Sequence, residues 1–217
     1  MESYHDFWDS AFRKLAQRGA QEFPSIFEEE MVLSGEFLSM IQSGGRVMDF
    51  GCGSGRNALY LAGRGHEVSI YDVSQEALAF CERAADSKGL AVQRCRREGR
   101  RFDLDDGVFD AVLVWSVFDH MPMFDAMITS RELARVSKQG AVMLASFDPE
   151  WDLSYHDDPH EVLEDGAVIY TGGRCKGMLF RRYTNDEVLR VLGSCWEVVE
   201  FARQRPEEER VVLCKKK

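Results

Sequence analysis

Three glycines stand at alternate positions in the run Asp49-Phe-Gly-Cys-Gly-Ser-Gly55. Glycine is needed where a backbone turns sharply or comes within contact distance of a ligand, because no Cβ obstructs the approach. Apolar Val47 and Met48 lead into the run, and a helical pattern opens at Arg56-Asn57. A strand, a tight loop and the free amides of a helix start together cradle a polar or negatively charged group. Asp49 precedes the glycines, where a carboxylate suits a cation such as an amino acid's ammonium. A second acid, Asp72, closes the next apolar run, 17 positions past Gly55. An acid there can accept both hydroxyls of a ribose. A third tract, Phe109-Asp-Ala-Val-Leu-Val-Trp-Ser-Val-Phe-Asp-His120, sets Ser116 and His120 just after an apolar strand. Ligands of open α/β sheets lie beyond the carboxyl ends of the strands, which brings both residues to the same site. His120, with an ordinary pKa of ~6.5, is the candidate general base.

A dinucleotide cradle is the competing chemistry. Its fingerprint is Gly-x-Gly-x-x-Gly. Counting from Gly51 and Gly53 puts Arg56 at the third glycine, and counting from Gly53 and Gly55 puts Ala58 there. The second frame tolerates Ala, so an NAD-dependent oxidoreductase is the alternative enzyme. It leaves Asp49 and Gly51 without a role. A non-catalytic nucleotide-binding regulatory module is the alternative outside enzymes.

These residues need a frame of alternating strands and helices, and the chain supplies one from Gly45 onward. Arg46–Phe50, Glu67–Tyr71, Ala91–Cys95, Ala111–Trp115 and Ala141–Ala145 read as strands. Helices are expected over Arg56–Arg64, from an N-cap at Ser74 to Ser87, and over Phe124–Ser137, with Gly65, Gly89 and Gly140 as their stops. Such alternation means parallel strands with right-handed crossovers. Thr184-x-x-Glu187 is a capping box, so another helix starts there. Glu197–Ala202 and Arg210–Cys214 read as strands. The tight turn Arg205-Pro-Glu-Glu-Glu209 can only join them as an antiparallel pair.

Two regions lie outside this alternation. Residues 1–43 look helical, with Phe7, Trp8, Phe12 and Leu15 on one stripe and Phe27, Met31, Leu38 and Ile41 on another, broken at Gly19 and Pro24. Trp8, with Tyr4 and His5, is placed either in a lid or against the core. Residues 149–183 form a long polar insert rich in aromatics, and inserts of that length are usually functional. Its His156-Asp-Asp-Pro-His160 has metal-like histidine spacing, but Pro159 disfavours the helix that would pair them. A solvated loop is expected instead. Arg174, Arg181 and Arg182 are expected on an exposed face.

The glycine run, Asp72, the Phe109-Asp110 strand opening and a His soon after that strand resemble class I S-adenosylmethionine-dependent methyltransferases. The resemblance covers about Val47 to Phe147. The Gly-x-Gly-Arg-Asn form at 53–57 is similar to a small-molecule branch that includes tellurite-resistance-type enzymes. The resemblance implies a doubly wound α/β sheet of seven strands, ordered 3-2-1-4-5-7-6, with the last strand antiparallel. It implies S-adenosylmethionine as cofactor and S-adenosylhomocysteine as product. Asp49 and the loop of Gly51, Cys52, Gly53 and Asn57 would hold the methionine end. Asp72 would hold the ribose, and Val73 would pack on the adenine. Glu98 and the Gly99 amide would meet the adenine edge, and Ser116 would line the methionine end.

Composition sets the outer bounds. A chain of 217 residues fits one domain and can bury a sizeable core. The net charge of −10 repels phosphate backbones, which argues against nucleic acid as a partner. Arg96, Arg97, Arg100 and Arg101 are interleaved with acids, and Lys215–Lys217 reads as a solvated tail. The six cysteines have no CxxC spacing, so no metal or redox motif is expected, and Cys81, Cys195 and Cys214 read as core. No apolar run reaches the ~20 residues of a membrane span, and no signal sequence opens the chain. A cytoplasmic enzyme acting on a small molecule is the expectation, with the acceptor and oligomeric state unread.

Overall fold

The architecture comes from a computed structural model that describes residues 4–17, 25–28, 32–148, 158–202 and 210–217, without the side chains of Tyr4, His5 and Val32. Seven strands form the main sheet: β1 (Arg46–Phe50), β2 (Glu67–Tyr71), β3 (Val92–Arg94), β6 (Phe109–Val114), β7 (Ser137–Phe147), β11 (Trp196–Ala202) and β12 (Arg210–Lys216). They lie in the order β11-β12-β7-β6-β1-β2-β3. Numbered within this sheet alone, that is the expected 3-2-1-4-5-7-6. β12 runs antiparallel to both its neighbours, and the other pairings, from β3 across to β7, are parallel.

Strands covered on both faces become continuous apolar runs. Val47, Val68, Ile70, Ala111 and Leu113 pack beneath residues of α2 (Val32–Ser39), α3 (Arg56–Gly63) and α4 (Gln75–Ser87). Met48, Phe50, Val112 and Val114 pack on the opposite side beneath α5 (Met123–Val136) and α6 (Asn185–Leu192). Ser74 caps α4 by accepting the Ala77 amide, and Thr184 with Glu187 closes the capping box of α6. Between β3 and β6 the crossover carries a short hairpin of β4 (Arg97–Glu98) and β5 (Arg101–Phe102).

Several expectations are corrected. The helix expected to stop at Gly140 gives way to β7 already at Ser137, whose Oγ donates to the Leu133 carbonyl and closes the last turn of α5. Gly140 lies inside the strand. The second N-terminal helix begins only at Val32, with Phe27 in a preceding turn and Ile41 beyond its end. The C-terminal lysines are no solvated tail: Lys215 and Lys216 belong to β12, and Lys216 Nζ donates to the Ser137 carbonyl. Arg181 is buried, not exposed, and pairs with Asp165 and Glu187. The described part of the insert is a three-stranded antiparallel sheet of β8 (His160–Val162), β9 (Val168–Tyr170) and β10 (Leu179–Phe180). His160 stands exposed on β8. Gly19, Pro24, Met31, His156 and the turn 205–209 lie outside the described residues.

α1 (Tyr4–Gln17) crosses from α4 to this inserted sheet. Asp9 accepts the Ser74 hydroxyl at 2.6 Å and the Glu76 amide at 3.4 Å. Such an acid at a helix N-terminus complements both the free amides and the dipole. The two residues before Asp9, Phe7 and Trp8, pack on the apolar cluster of Tyr170, Met178 and Phe180 in and beside the inserted sheet.

The glycine loop is fixed against α4 by a close approach. Gly55 has φ +86°, and a Cβ there would collide with the Cys81 sulfur. Replacing Gly55 with Ala therefore combines left-handed strain of ~1–2 kcal/mol with overpacking of ~1–3 kcal/mol. Urea denaturation is expected to show a loss of about 2–4 kcal/mol. Adding Cys81→Ala is expected to lose less than the sum of the two single changes. Equal stability of Gly55→Ala and wild type would refute this packing.

Candidate active site

The loops after β1, β2 and β6 open on one side of the sheet and enclose, with α1, a cavity of about 730 Å³. That lies within the ~300–1,000 Å³ typical of small-ligand pockets. Gly51, Cys52, Gly53 and Asn57 from the first loop line it. So do Asp72 and Val73 after β2, Gly99 in the hairpin turn, and Ser116 and His120 after β6. Of the residues singled out from the sequence, Asp49 and Glu98 are not on its wall.

Asp72 ties two loops together. One carboxylate oxygen accepts the Gly53 amide and the other accepts the Ser74 amide, each at 2.9 Å. Each oxygen keeps further acceptor capacity for a ligand hydroxyl. Burial raises the Asp72 pKa, partly offset by these amides. Gly53 has φ +52°, and its absent Cβ would lie 3.2 Å from Phe12 Cζ of α1. The loop backbone is thus bare toward the cavity and roofed by an aromatic ring. Asn57 has a structural task as well, since its Oδ1 accepts the Ser25 hydroxyl and the Ile26 amide, both at 3.1 Å.

Asp49 lies behind the loop and is buried. The Ala58 amide donates to its carboxylate, while Oδ2 has no partner. Burial, reinforced by Asp72, pushes its pKa up to about 7. A carboxylate kept short of partners is a receptor for a cation, the chemistry read from its position.

Alternation along β4 turns Arg97 toward the cavity and leaves Glu98 exposed outside it. The Arg97 guanidinium sits 5.3–5.7 Å from the rings of Phe50, Tyr71 and Phe102 and donates to Thr129 Oγ1. Arg100 pairs with Asp125 at 2.6 Å on the same stretch of wall. Sequence reading missed these wall residues because an arginine tract among acids looks like solvated surface. Phe12 and Leu15 were legible only as a helical stripe.

His120 ends a 3-10 turn, Phe118–His120. Its Nδ1 lies 3.1 Å from the Leu179 carbonyl. A carbonyl only accepts, so the proton of the neutral ring is on Nδ1 and Nε2 carries the lone pair. Burial pushes the His120 pKa down to about 4 against the upward pull of that carbonyl. The ring is therefore neutral at physiological pH. Ser116 holds a left-handed backbone, φ +52°, with its amide donated to Ser146 Oγ. A non-glycine residue in that region stores about 1–3 kcal/mol of strain, a cost found mostly at functional sites.

The arrangement offers bare loop backbone, a ribose-type acid, a cation-seeking acid behind the loop, and a neutral imidazole across the cavity. Residues 47–140 match the methyltransferase domain family. Over that segment the chain is similar to S-adenosylmethionine-dependent methyltransferases. A fatty-acid O-methyltransferase of Mycolicibacterium smegmatis is 32% identical over 136 residues, covering 58% of this chain and 48% of that protein. The chain thus spans about half the length of that relative. A 2-heptyl-1-hydroxyquinolin-4(1H)-one methyltransferase of Mycobacteroides abscessus is 29% identical over 175 residues, covering 75% of this chain and 73% of the other. The Burkholderia thailandensis 1,6-didemethyltoxoflavin-N1-methyltransferase, solved with its namesake compound and S-adenosylhomocysteine, shares the fold at TM-score 0.65 and 16% identity, covering 98% of this chain and 88% of that one. The methyl donor that goes with this domain is S-adenosylmethionine, which takes precedence over the nicotinamide alternative. No helix among the described residues is long and apolar enough to cross a membrane. No cluster of three or more His, Cys, Asp or Glu among them could hold a metal.

The Asp49 environment has a measurable cost. Its pKa is raised from the ordinary 3.8 to about 7, so over that interval the folded chain holds a proton that the unfolded chain has lost. Stability present below pH ~4 is therefore lost as pH rises to 7. Asp49→Asn mimics the protonated form. Thermal unfolding without ligand is expected to show the variant near wild type at pH ~4 and more stable at pH ~8, by up to about 4 kcal/mol. A variant that is less stable at pH ~8 would refute it.

Proposed function

We propose that this protein transfers the methyl group of S-adenosylmethionine to a small-molecule acceptor, with His120 taking the acceptor's proton. The observation that carries this reading is the cavity of about 730 Å³ whose wall brings together the bare loop, Asp72 and neutral His120. S-adenosylmethionine supplies an electrophilic methyl on a sulfonium. The acceptor's lone pair forms the new bond to carbon as the carbon–sulfur pair stays with sulfur, and the acceptor's proton passes to Nε2.

The loop fits the donor. A side chain at Gly53 would fill the space its backbone leaves, and the Oδ2 of Asp49 awaits a cation. In this reading the Gly51 and Gly53 amides, Cys52 and Ser116 surround the methionine end, with Asp49 neutralising the ammonium and Asn57 bracing the helix start. Asp72 takes the ribose hydroxyls. Val73 and the Gly99 amide meet the adenine, and Arg97 with the Arg100–Asp125 pair walls that end, where Glu98 does not reach. The sulfonium is already activated, so positioning and exclusion of water are the protein's main work. α1 supplies the roof.

A small acceptor is supported by the size of the cavity and by the net charge of −10, which disfavours a nucleic-acid acceptor. The names of the two relatives and of the toxoflavin enzyme point the same way. The test is transfer of label from methyl-labelled S-adenosylmethionine into a cell extract split into small-molecule, protein and RNA fractions. Label is expected in the small-molecule fraction, and label confined to RNA or protein would overturn the reading. On an acceptor so found, His120→Asn is expected to lower kcat by ~10²–10⁴-fold. Calorimetry with S-adenosylhomocysteine is expected to show Asp72→Ala weakening binding by ~1–3 kcal/mol and Gly53→Val abolishing it. Unchanged affinity in both variants would dismiss the loop as the donor site.

A further inference from the structure

His120 is held by parts of the chain that lie outside the seven-stranded sheet. The Trp8 indole of α1 packs edge-on to its ring at a centroid distance of 4.7 Å. Phe180 of β10 lies at 5.8 Å on a tilted plane, and the Leu179 carbonyl of the same strand meets Nδ1 at 3.1 Å. Trp8 and Phe180 belong to one apolar cluster, so α1 and the inserted sheet grip the imidazole together.

The same helix touches the donor end. Phe12, one turn on from Trp8, roofs Gly53, and Asp9 bonds Ser74, whose amide is held by Asp72. One rigid helix therefore spans the glycine loop, the ribose acid and the imidazole. Resting on the reading of His120 as proton acceptor, we infer that Trp8 is a positioning residue. Docked α1 covers one side of the His120 ring with the Trp8 indole and, with the Leu179 carbonyl, holds it as the Nδ1–H tautomer with Nε2 free. The base is complete only when the roof over the donor is in place.

Charged neighbours do not set the state of this ring. Asp119 precedes it, but the groups that act on that carboxyl are Asp148 and Arg210. Arg181 after β10 pairs with Asp165 and Glu187, and Arg182 lies over Phe180. Asp125 of α5 is taken by Arg100, and Asp9 by Ser74. Burial and the Leu179 carbonyl are what act on His120. Removing the indole thus has a defined consequence: the side of the ring it covers opens to water, and the protonated form is better solvated.

The test reads the imidazole itself. The chain has 5 histidines, so His120 can be assigned in ¹⁵N-imidazole spectra by comparison with His120→Asn. In the wild type the ring is expected to stay neutral, with its proton on Nδ1, from pH ~8 down to pH ~5, below the ordinary ~6.5. In Trp8→Ala its pKa is expected to climb from about 4 toward ~6.5 and the tautomers to mix, while Trp8→Phe stays near wild type. Asp9→Ala, which releases α1 from Ser74 without touching the cavity wall, is expected to shift the ring in the same direction. That variant stands in if Trp8→Ala does not fold. A wild-type His120 titrating at the ordinary value, or one unmoved in both variants, would overturn the inference. Full methyl transfer by His120→Asn would sink the proton-acceptor reading alone and leave the spectra as they are.

Discussion

Asp72 gives one carboxylate oxygen to the Gly53 amide and the other to the Ser74 amide. Through that single side chain the loop after β1 is locked to the loop after β2. The amide of Ser74 is fixed while its hydroxyl caps α4 and bonds Asp9. α1 is thereby anchored to the loop that Asp72 holds. Without this bridge, glycines at 51, 53 and 55 would leave a backbone of high conformational freedom with no reason to present its amides in one arrangement. The geometry of the cavity-facing loop follows from one carboxylate that itself lines the cavity.

The bridge has an electrostatic consequence. Asp49 and Asp72 lie close together at the glycine loop, and burial there disfavours the charge of both: Asp49 is raised to about 7 and Asp72 is raised as well. Repulsion from a neighbouring acid adds to both shifts. In water such clustering would be relieved by solvent, but here the loop and the α1 roof exclude it. A site of this kind is built against anions. It suits a ligand with positive charge at the methionine end far better than the pyrophosphate of a dinucleotide, which would meet the same carboxylates. The spacing of Asp49 before Gly51 hinted at this discrimination, and burial is what gives it force.

Most of the sheet was legible because its strands are short and carry their own punctuation. β1 and β2 fall where the apolar runs placed them, Ser74 and Thr184 cap the helices they were expected to cap, and the glycine loop needed only local spacing. What could not be read depends on partners distant in the chain. Arg181 is buried because Asp165 and Glu187 neutralise it, and no local pattern separates it from the exposed Arg174. β4 is two residues long, too short for periodicity to say that Arg97 faces the cavity and Glu98 faces solvent. Lys216 joins a strand because it pairs with Trp196 of β11, and the Ser137 carbonyl takes its ammonium. The small sheet of the insert pairs across irregular connections, which defeats a search for alternation.

The division between legible and hidden parts coincides with a division of labour. The strands and loops of the main sheet place the donor, and their geometry is dictated by backbone constraints that leave a trace in sequence. The packing around His120 comes from α1 and from β10, elements that meet only in the folded molecule. Trp8 is separated from Leu179 and Phe180 by most of the chain, yet together they pack the ring of His120. Changing these outer elements would alter the roof and the imidazole's surroundings while leaving Asp72, the glycine loop and the sheet beneath them intact. α1 links the two sets of parts, through Phe12 and Asp9 at the glycine loop and Trp8 at His120, which sits on the loop after β6 but is packed from outside the main sheet.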